Sequence, residues 1–297
     1  MKRALLSSLL IALTLASCQQ VVDADKLLDV QERVSILGYL SPSDTVLRVD
    51  VSKALPAIGT PIRIDQGQGA PEEFLITDAL VTIGNANGDA AQLIYDADLN
   101  AYLAPATELT IEVGGTYFLT VVVNGEEYNA SCTIPKMVED VNATIDLRPD
   151  GFGQQEVNLT LAFTDFEGEN NFYIVGATYQ ATFEFEGEPP FISQGRFFFD
   201  DNEFLTDNIN DGGTLNAESD VFLGNLDNIV EASVTLQVAH TDEFLYRHLR
   251  SSRTNEDAGG NPFVEYAIAP TNILNNGAIG IFAGYALTES TFEVELE

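Results

Sequence analysis

The stretch "TYFLTVVVNGEEYNASCTIP", residues 116–135, decides how this chain is read. Two runs rich in β-branched and aromatic residues flank Asn124-Gly125. Asn-Gly tolerates the two positive-φ positions of a tight hairpin turn, so the segment reads as two antiparallel strands. Upstream, "ALVTIGNANGDAAQLIYD" (79–96) repeats the pattern around Asn87-Gly88, with Leu80, Thr82 and Gly84 alternating against Val81 and Ile83. "RVSILGYL" (33–40) and "TVLRVDVSKAL" (45–55) supply earlier runs. Short apolar runs separated by turn residues predict a β-sandwich over residues 32–135, closed by Pro135.

The alternation resumes after that proline. "EVNLTLAF" (156–163) places Val157, Leu159, Leu161 and Phe163 on one face. "NATIDL" (142–147), "NFYIVGATYQATFEF" (171–185) and "ASVTLQVAH" (232–240) also read as strands. Residues 200–220, "DDNEFLTDNINDGGTLNAESD", read as a long acidic loop. One helix is expected near 242–253, with Thr241 as N-cap and Phe244, Leu245, His248 and Leu249 on its apolar face. Arg247, Arg250 and Arg253 would then favour its negative end. The closing runs "YAIAP", "GAIGIFAGYAL" and "TFEVELE" are again strand-like. The fold class is therefore mostly β: a first sandwich, then a larger β-rich domain over 136–297 with one short helix.

The N-terminus carries a different signal. Lys2 and Arg3 precede an apolar segment from Ala4 to about Leu15, too short to span a bilayer, and small residues follow. Residues 1–17 thus read as an export signal. Leu15-Ala16-Ser17-Cys18 resembles the bacterial lipobox, in which a peptidase recognises the three residues before the cysteine and the thiol carries the lipid. A plain secretory signal with an incidental cysteine is the other reading. Gln19 in place of aspartate favours sorting to the outer membrane. Residues 18–31, with Asp23, Asp25 and Asp29, form an acidic tether, either a surface-export signal or a solvated spacer.

Charge narrows the partners. The net charge is −33, and removal of Lys2 and Arg3 would deepen it. Such a surface repels phosphate backbones, so nucleic acid is excluded as a partner, and contact with a membrane falls to the lipid. A hydrophobic fraction of 45% argues for a folded body. The second cysteine, Cys132, sits between apolar strand positions and reads as a buried, inert thiol.

"NPFVEYAIAPTNILNNGAIGIFAGYA" (261–286) resembles the closing signature of a Bacteroidota lipoprotein family known as domain of unknown function 4249. The matching positions are Pro262, Phe263, Pro270, Asn272, Ile273, Asn276, Gly277, Gly280, Phe282 and Gly284. "RVSILGYLSPSDTVLRVDVSKALP" (33–56) is similar to the family's opening strands, and residues 114–135 to its first-domain ending. "FTDFEGENNFYIVGA" (163–177) resembles its Asp-…-Asn-aromatic-aromatic segment, with Phe172 where tyrosine is usual. The chain departs again at Asn276-Gly277-Ala278-Ile279-Gly280, one residue longer than the family pattern. The resemblance implies an Ig-like first domain, a larger β-rich second domain, and an outer-membrane lipoprotein of a kind commonly encoded beside TonB-dependent receptors. It carries over no catalytic residue.

Candidate chemistry is sparse. The Gly277–Gly280–Gly284 run lacks the helix a dinucleotide motif requires, and reads as glycines that let a strand bend or pack closely. His240 and His248 fit no metalloprotease motif. Asp207, Asp211 and Glu218 fall at positions of a calcium loop, but Ile209 stands where an oxygen ligand belongs. A calcium site and a solvated acidic loop both remain open. The leading expectation is a non-enzymatic lipoprotein that binds a ligand for, or supports, a TonB-dependent transporter. A surface adhesin for glycans or host proteins is the alternative, and a carboxylate- or metal-dependent hydrolase a third.

Overall fold

The computed structural model describes residues 32–54, 72–149, 155–224, 228–258, 267–275 and 277–294. The expected signal (1–17), the tether (18–31) and Cys18 lie outside them, as do Pro262, Phe263 and Asn276. The chain is mostly β, with two main packed cores and, among the described residues, one α-helix, as the alternation predicts.

Seven strands build the first core: β1 (Arg33–Leu40), β2 (Val46–Ala54), β3 (Leu80–Asn85), β4 (Ala90–Asp96), β5 (Ala101–Pro105), β6 (Thr116–Val123) and β7 (Glu126–Thr133). Asn124 and Gly125 adopt φ of 52° and 83° and join β6 to β7 in the expected register. Both must be left-handed there, and asparagine and glycine do so at least cost. Inward residues of every strand meet in one cluster, among them Ile36, Leu47, Val49, Val81, Ile83, Leu119 and Val121. Each fully buried aliphatic side chain of this kind contributes about 1.5–3 kcal/mol. Two buried tyrosines tie loops to this core: the Tyr102 hydroxyl donates to the Ile76 carbonyl at 2.8 Å, and Tyr117 to that of Thr110 at 2.9 Å.

The second core lies between β8 (Asn142–Pro149), β9 (Gln155–Thr164) and β13 (Thr214–Gly224) on one side, and β10 (Phe172–Phe183) with β14 (Ile229–Thr241) on the other. Val157, Leu159, Leu161 and Phe163 face it, as their alternation predicts, opposite Tyr173, Val175, Leu236 and Val238. Two short strands, β11 (Phe191–Arg196) and β12 (Phe204–Thr206), flank β10 on its outer side.

The expected loop at 200–220 is not one. A 3-10 turn at Asp200–Glu203 leads into β12, and the chain turns through 207–213 before entering β13. Exposed Glu218 and Asp220 alternate there with buried Ala217 and Ser219. The inward residues are too small to advertise a strand, so the outward acids dominate the reading.

The last strand, β15 (Ile279–Glu293), stitches the cores together. Residues 279–284 pair in parallel with β1, and residues 285–293 pair antiparallel with β14. The order of the resulting sheet is β11-β10-β14-β15-β1-β2-β5-β4-β3-β6-β7. Its glycines permit close approach, as expected. A Cβ on Gly280, whose φ is +106°, would lie 1.9 Å from the Ile36 carbonyl oxygen, and one on Gly284 would lie 2.8 Å from that of Thr133.

The helix α1 (Glu243–Ala258) is longer than expected and packs on β15 through Leu245, against Ile281 and Ala283. Its cap is Asp242, whose Oδ1 accepts from the Leu245 amide at 2.9 Å and whose Oδ2 accepts from Gly284 at 2.8 Å. Thr241 instead ends β14 and donates to the Phe172 carbonyl at 3.2 Å. The arginines do not serve the helix end. Arg247 pairs with Glu243, Arg250 lies over the Tyr246 ring, and Arg253 reaches Glu203 and Asp257.

Candidate functional site

Asp165 directly follows β9, Asp207 directly follows β12, and Asp211 lies in the turn before β13. β9 continues its inward phase from Phe163 to Asp165, which carries a carboxylate into the second core. One oxygen of each aspartate lies within 4.8 Å of the others. Asp165 is 5% exposed and Asp207 4%, while Asp211 faces solvent. Buried carboxylates need donors, and this turn supplies them. Asp165 accepts from the Tyr173 hydroxyl at 2.5 Å and from the Gly212 amide at 2.9 Å. Asp207 accepts from the Asn171 amide at 2.9 Å, and Asp211 from the Gly168 amide at 2.8 Å. The Asn171 side chain donates to the carbonyls of Phe166 and Glu169, closing the turn before β10.

Two of the sequence candidates therefore come together and one does not. Glu218 points outward from β13 and stays apart from Asp207 and Asp211, which meet Asp165 instead. The calcium-loop spacing fails because β13 begins at Thr214, and an extended strand carries its residues away from the turn rather than around it. Asp165 is the residue the spacing missed. A signal existed: it sits at the buried phase of an alternating strand, inside the Asp-…-Asn-aromatic-aromatic segment. Asp165, Asn171 and Tyr173 of that segment are the corner's partners.

Burial and the bond to Asp165 hold the Tyr173 hydroxyl well above the usual phenol range. It acts as a fixed donor. Beside it, the His240 ring stacks against Phe166 at 5.4 Å and leans on Tyr173 at 4.7 Å. His240 Nδ1 donates to the Lys136 carbonyl at 2.8 Å, which fixes its tautomer. Burial lowers its pKa, which favours the neutral ring. The Lys136 ammonium sits over the other aromatic partner, 5.4 Å from the Phe166 ring centre. A hard, oxygen-seeking cation such as calcium would use Asp165, Asp207 and Asp211, completed by carbonyls or water.

The other candidates are structural. His248 donates to the Pro270 carbonyl, and burial lowers its pKa. Burial and the nearby Asp242 carboxylate push the Cys132 thiol up, so the reactive thiolate is suppressed as expected. Phe197 and Phe199 are buried and Phe198 is exposed. Leu15, Ala16, Ser17 and Cys18 lie outside the described residues.

Two β cores sewn by a shared strand, with an aspartate corner at one turn, define a mostly β protein. The chain belongs to the family described as "Domain of unknown function (DUF4249)", whose profile matches residues 21–291. Among curated proteins, none matches it.

Proposed function

We propose that this protein is a lipid-anchored, non-catalytic component of the outer membrane that serves a TonB-dependent transporter as a ligand-binding or structural partner. The observation that carries the reading is Leu15-Ala16-Ser17-Cys18 behind a short apolar segment with a basic head. Acyl chains on Cys18 would fasten the body, each buried methylene adding about 0.8 kcal/mol. The stretch between Cys18 and β1 can reach at most about 50 Å, enough to hold the body clear of headgroups its acidic surface avoids. The reading of a non-enzyme is supported by how the usual nucleophile and bases are used. Cys132 is buried, and the His240 ring is committed to a backbone carbonyl and two aromatic faces.

The test is affinity purification of the native protein from detergent-solubilised outer membranes. A TonB-dependent receptor should co-purify in near-stoichiometric amount, and Cys18→Ser should release the protein from the membrane fraction. Recovery of the lipidated protein without a receptor would end the partnership, and an unmodified Cys18 by mass spectrometry would end the anchor.

A further inference from the structure

The long sheet has two ends, and the chain treats them differently. At the β7 end, residues 271–275 lie along the outer edge. Leu274 and Asn129 exchange backbone hydrogen bonds, and the side chains of Asn272 and Asn275 donate to the carbonyls of Ser131 and Glu127. That edge is closed by the chain itself. At the other end lies β11, paired only with β10 among the described residues.

The register shows what β11 leaves open. The Phe197 amide donates to Ala177, so residues 197, 195, 193 and 191 form the bonded pairs with β10. The amides and carbonyls of Ile192, Gln194 and Arg196 therefore point away from the sheet. Proteins usually blunt such an edge with lysine, proline or a bulge within the strand. "FISQGR" contains neither lysine nor proline, its one charge is Arg196 at the end of the strand, drawn over the Phe198 ring, and its pairing with β10 is unbroken across all six residues.

Apolar surface accompanies the open edge. Phe185, Phe191 and Ile192 are 42%, 50% and 59% exposed. The rings of Phe183, Phe185 and Phe191 stand nearly parallel, with Phe183 and Phe191 5.0 Å apart at 7° and Phe185 and Phe191 5.9 Å apart at 1°. An exposed aromatic stack beside a free edge marks a contact surface. Its charge selects the occupant. Glu184, Glu186 and Glu188 stand exposed in the connection from β10 to β11, on a chain of net charge −33. A second copy would bring two such bodies together, whereas a basic segment is drawn in.

We propose that β11 is a docking strand that takes an extended, lysine- or arginine-bearing segment of a partner protein by β-addition. Backbone bonds form at Ile192, Gln194 and Arg196, alternate apolar side chains lie on the phenylalanine stack, and basic residues meet the glutamates. The inference concerns the body alone and stands apart from the anchor and the transporter.

The experiment uses the full chain and a fluorescent eight-residue peptide of alternating lysine and valine, followed by anisotropy. The peptide should bind, bind more weakly as salt rises, and lose at least about tenfold in affinity when glutamate replaces its lysines. Ile192→Pro removes one outward amide at an edge position where proline is tolerated, and should cost at least about tenfold. Should that variant fail to fold, a peptide N-methylated on alternate amides gives the same test on the natural chain, and one of its two phases should fail to bind. Absence of binding, or equal binding by Ile192→Pro or by both methylated phases, overturns the proposal. A dimer by sedimentation that Ile192→Pro dissociates would overturn it in favour of a second copy.

Discussion

Gly280→Ala is the sharpest test of the seam between the two cores. Gly280 holds a φ of +106°, which costs an L-residue about 1–3 kcal/mol. Its new methyl would start 1.9 Å from the Ile36 carbonyl oxygen, a backbone atom that no side-chain rotation can clear. β15 would have to retreat from β1 by more than about 1 Å to restore van der Waals distance. Overpacking of this kind adds about 1–3 kcal/mol, for a total of about 2–6 kcal/mol. Ile36, Ile281 and Phe282, all fully buried, would feel the shift. Gly277→Ala is the matched control: its φ is +68°, but nothing lies within 4 Å of the added carbon. It should cost only about 1–2 kcal/mol. The assay is urea unfolding followed by circular dichroism and by tyrosine fluorescence, since the chain has ten tyrosines and no tryptophan. Equal midpoint shifts for the two variants would refute the argument, because backbone conformation alone would then account for both.

Three further outcomes can be measured. Asp165→Ala leaves the Tyr173 hydroxyl and Gly212 amide without their acceptor, and should lower stability by about 2–4 kcal/mol, whereas exposed Asp211→Ala should lose less than about 1.5 kcal/mol in the same urea assay. His240 and His248 have folded pKa values below the ordinary value of about 6.5, so the unfolded chain binds more protons and stability falls as pH drops below that value. The raised carboxyls of Asp44 and Asp242 act in the opposite sense, favouring the folded state as pH falls toward their own range. Replacing both histidines with glutamine should flatten the stability profile between about pH 6.5 and 5. Calcium at the aspartate corner is read by adding calcium chloride to chelated protein. A rise in Tm that Asp211→Asn abolishes assigns the ion to Asp165, Asp207 and Asp211, and an unchanged Tm leaves those carboxylates to their hydrogen bonds.

Local signals were legible and non-local ones were not. Asn124-Gly125 announces its hairpin because the turn needs two left-handed residues and nothing else. Val157 through Phe163 announce a half-buried strand because a two-residue period is a property of the chain itself. β15 reads as two separate runs, since its continuity depends on β1 and β14, far away in sequence. The aspartate corner follows the same division. Asp207 and Asp211 are neighbours in one acidic turn, but Asp165 arrives from another strand, and only its inward phase hints at that. Glu218 fits the calcium spacing yet stands apart, because a carboxylate's charge is visible in sequence and its direction from a strand is not.

The position of β15 has a consequence for biosynthesis. Among the described strands, the one that occupies the middle of the sheet comes after the other fourteen in chain order. Until it arrives, β1 and β14 each lack the neighbour that would shield one flank, and neither half can be locked to the other. A polypeptide interrupted before residue 279 thus presents two raw flanks, open to wrong pairing, rather than a smaller finished protein.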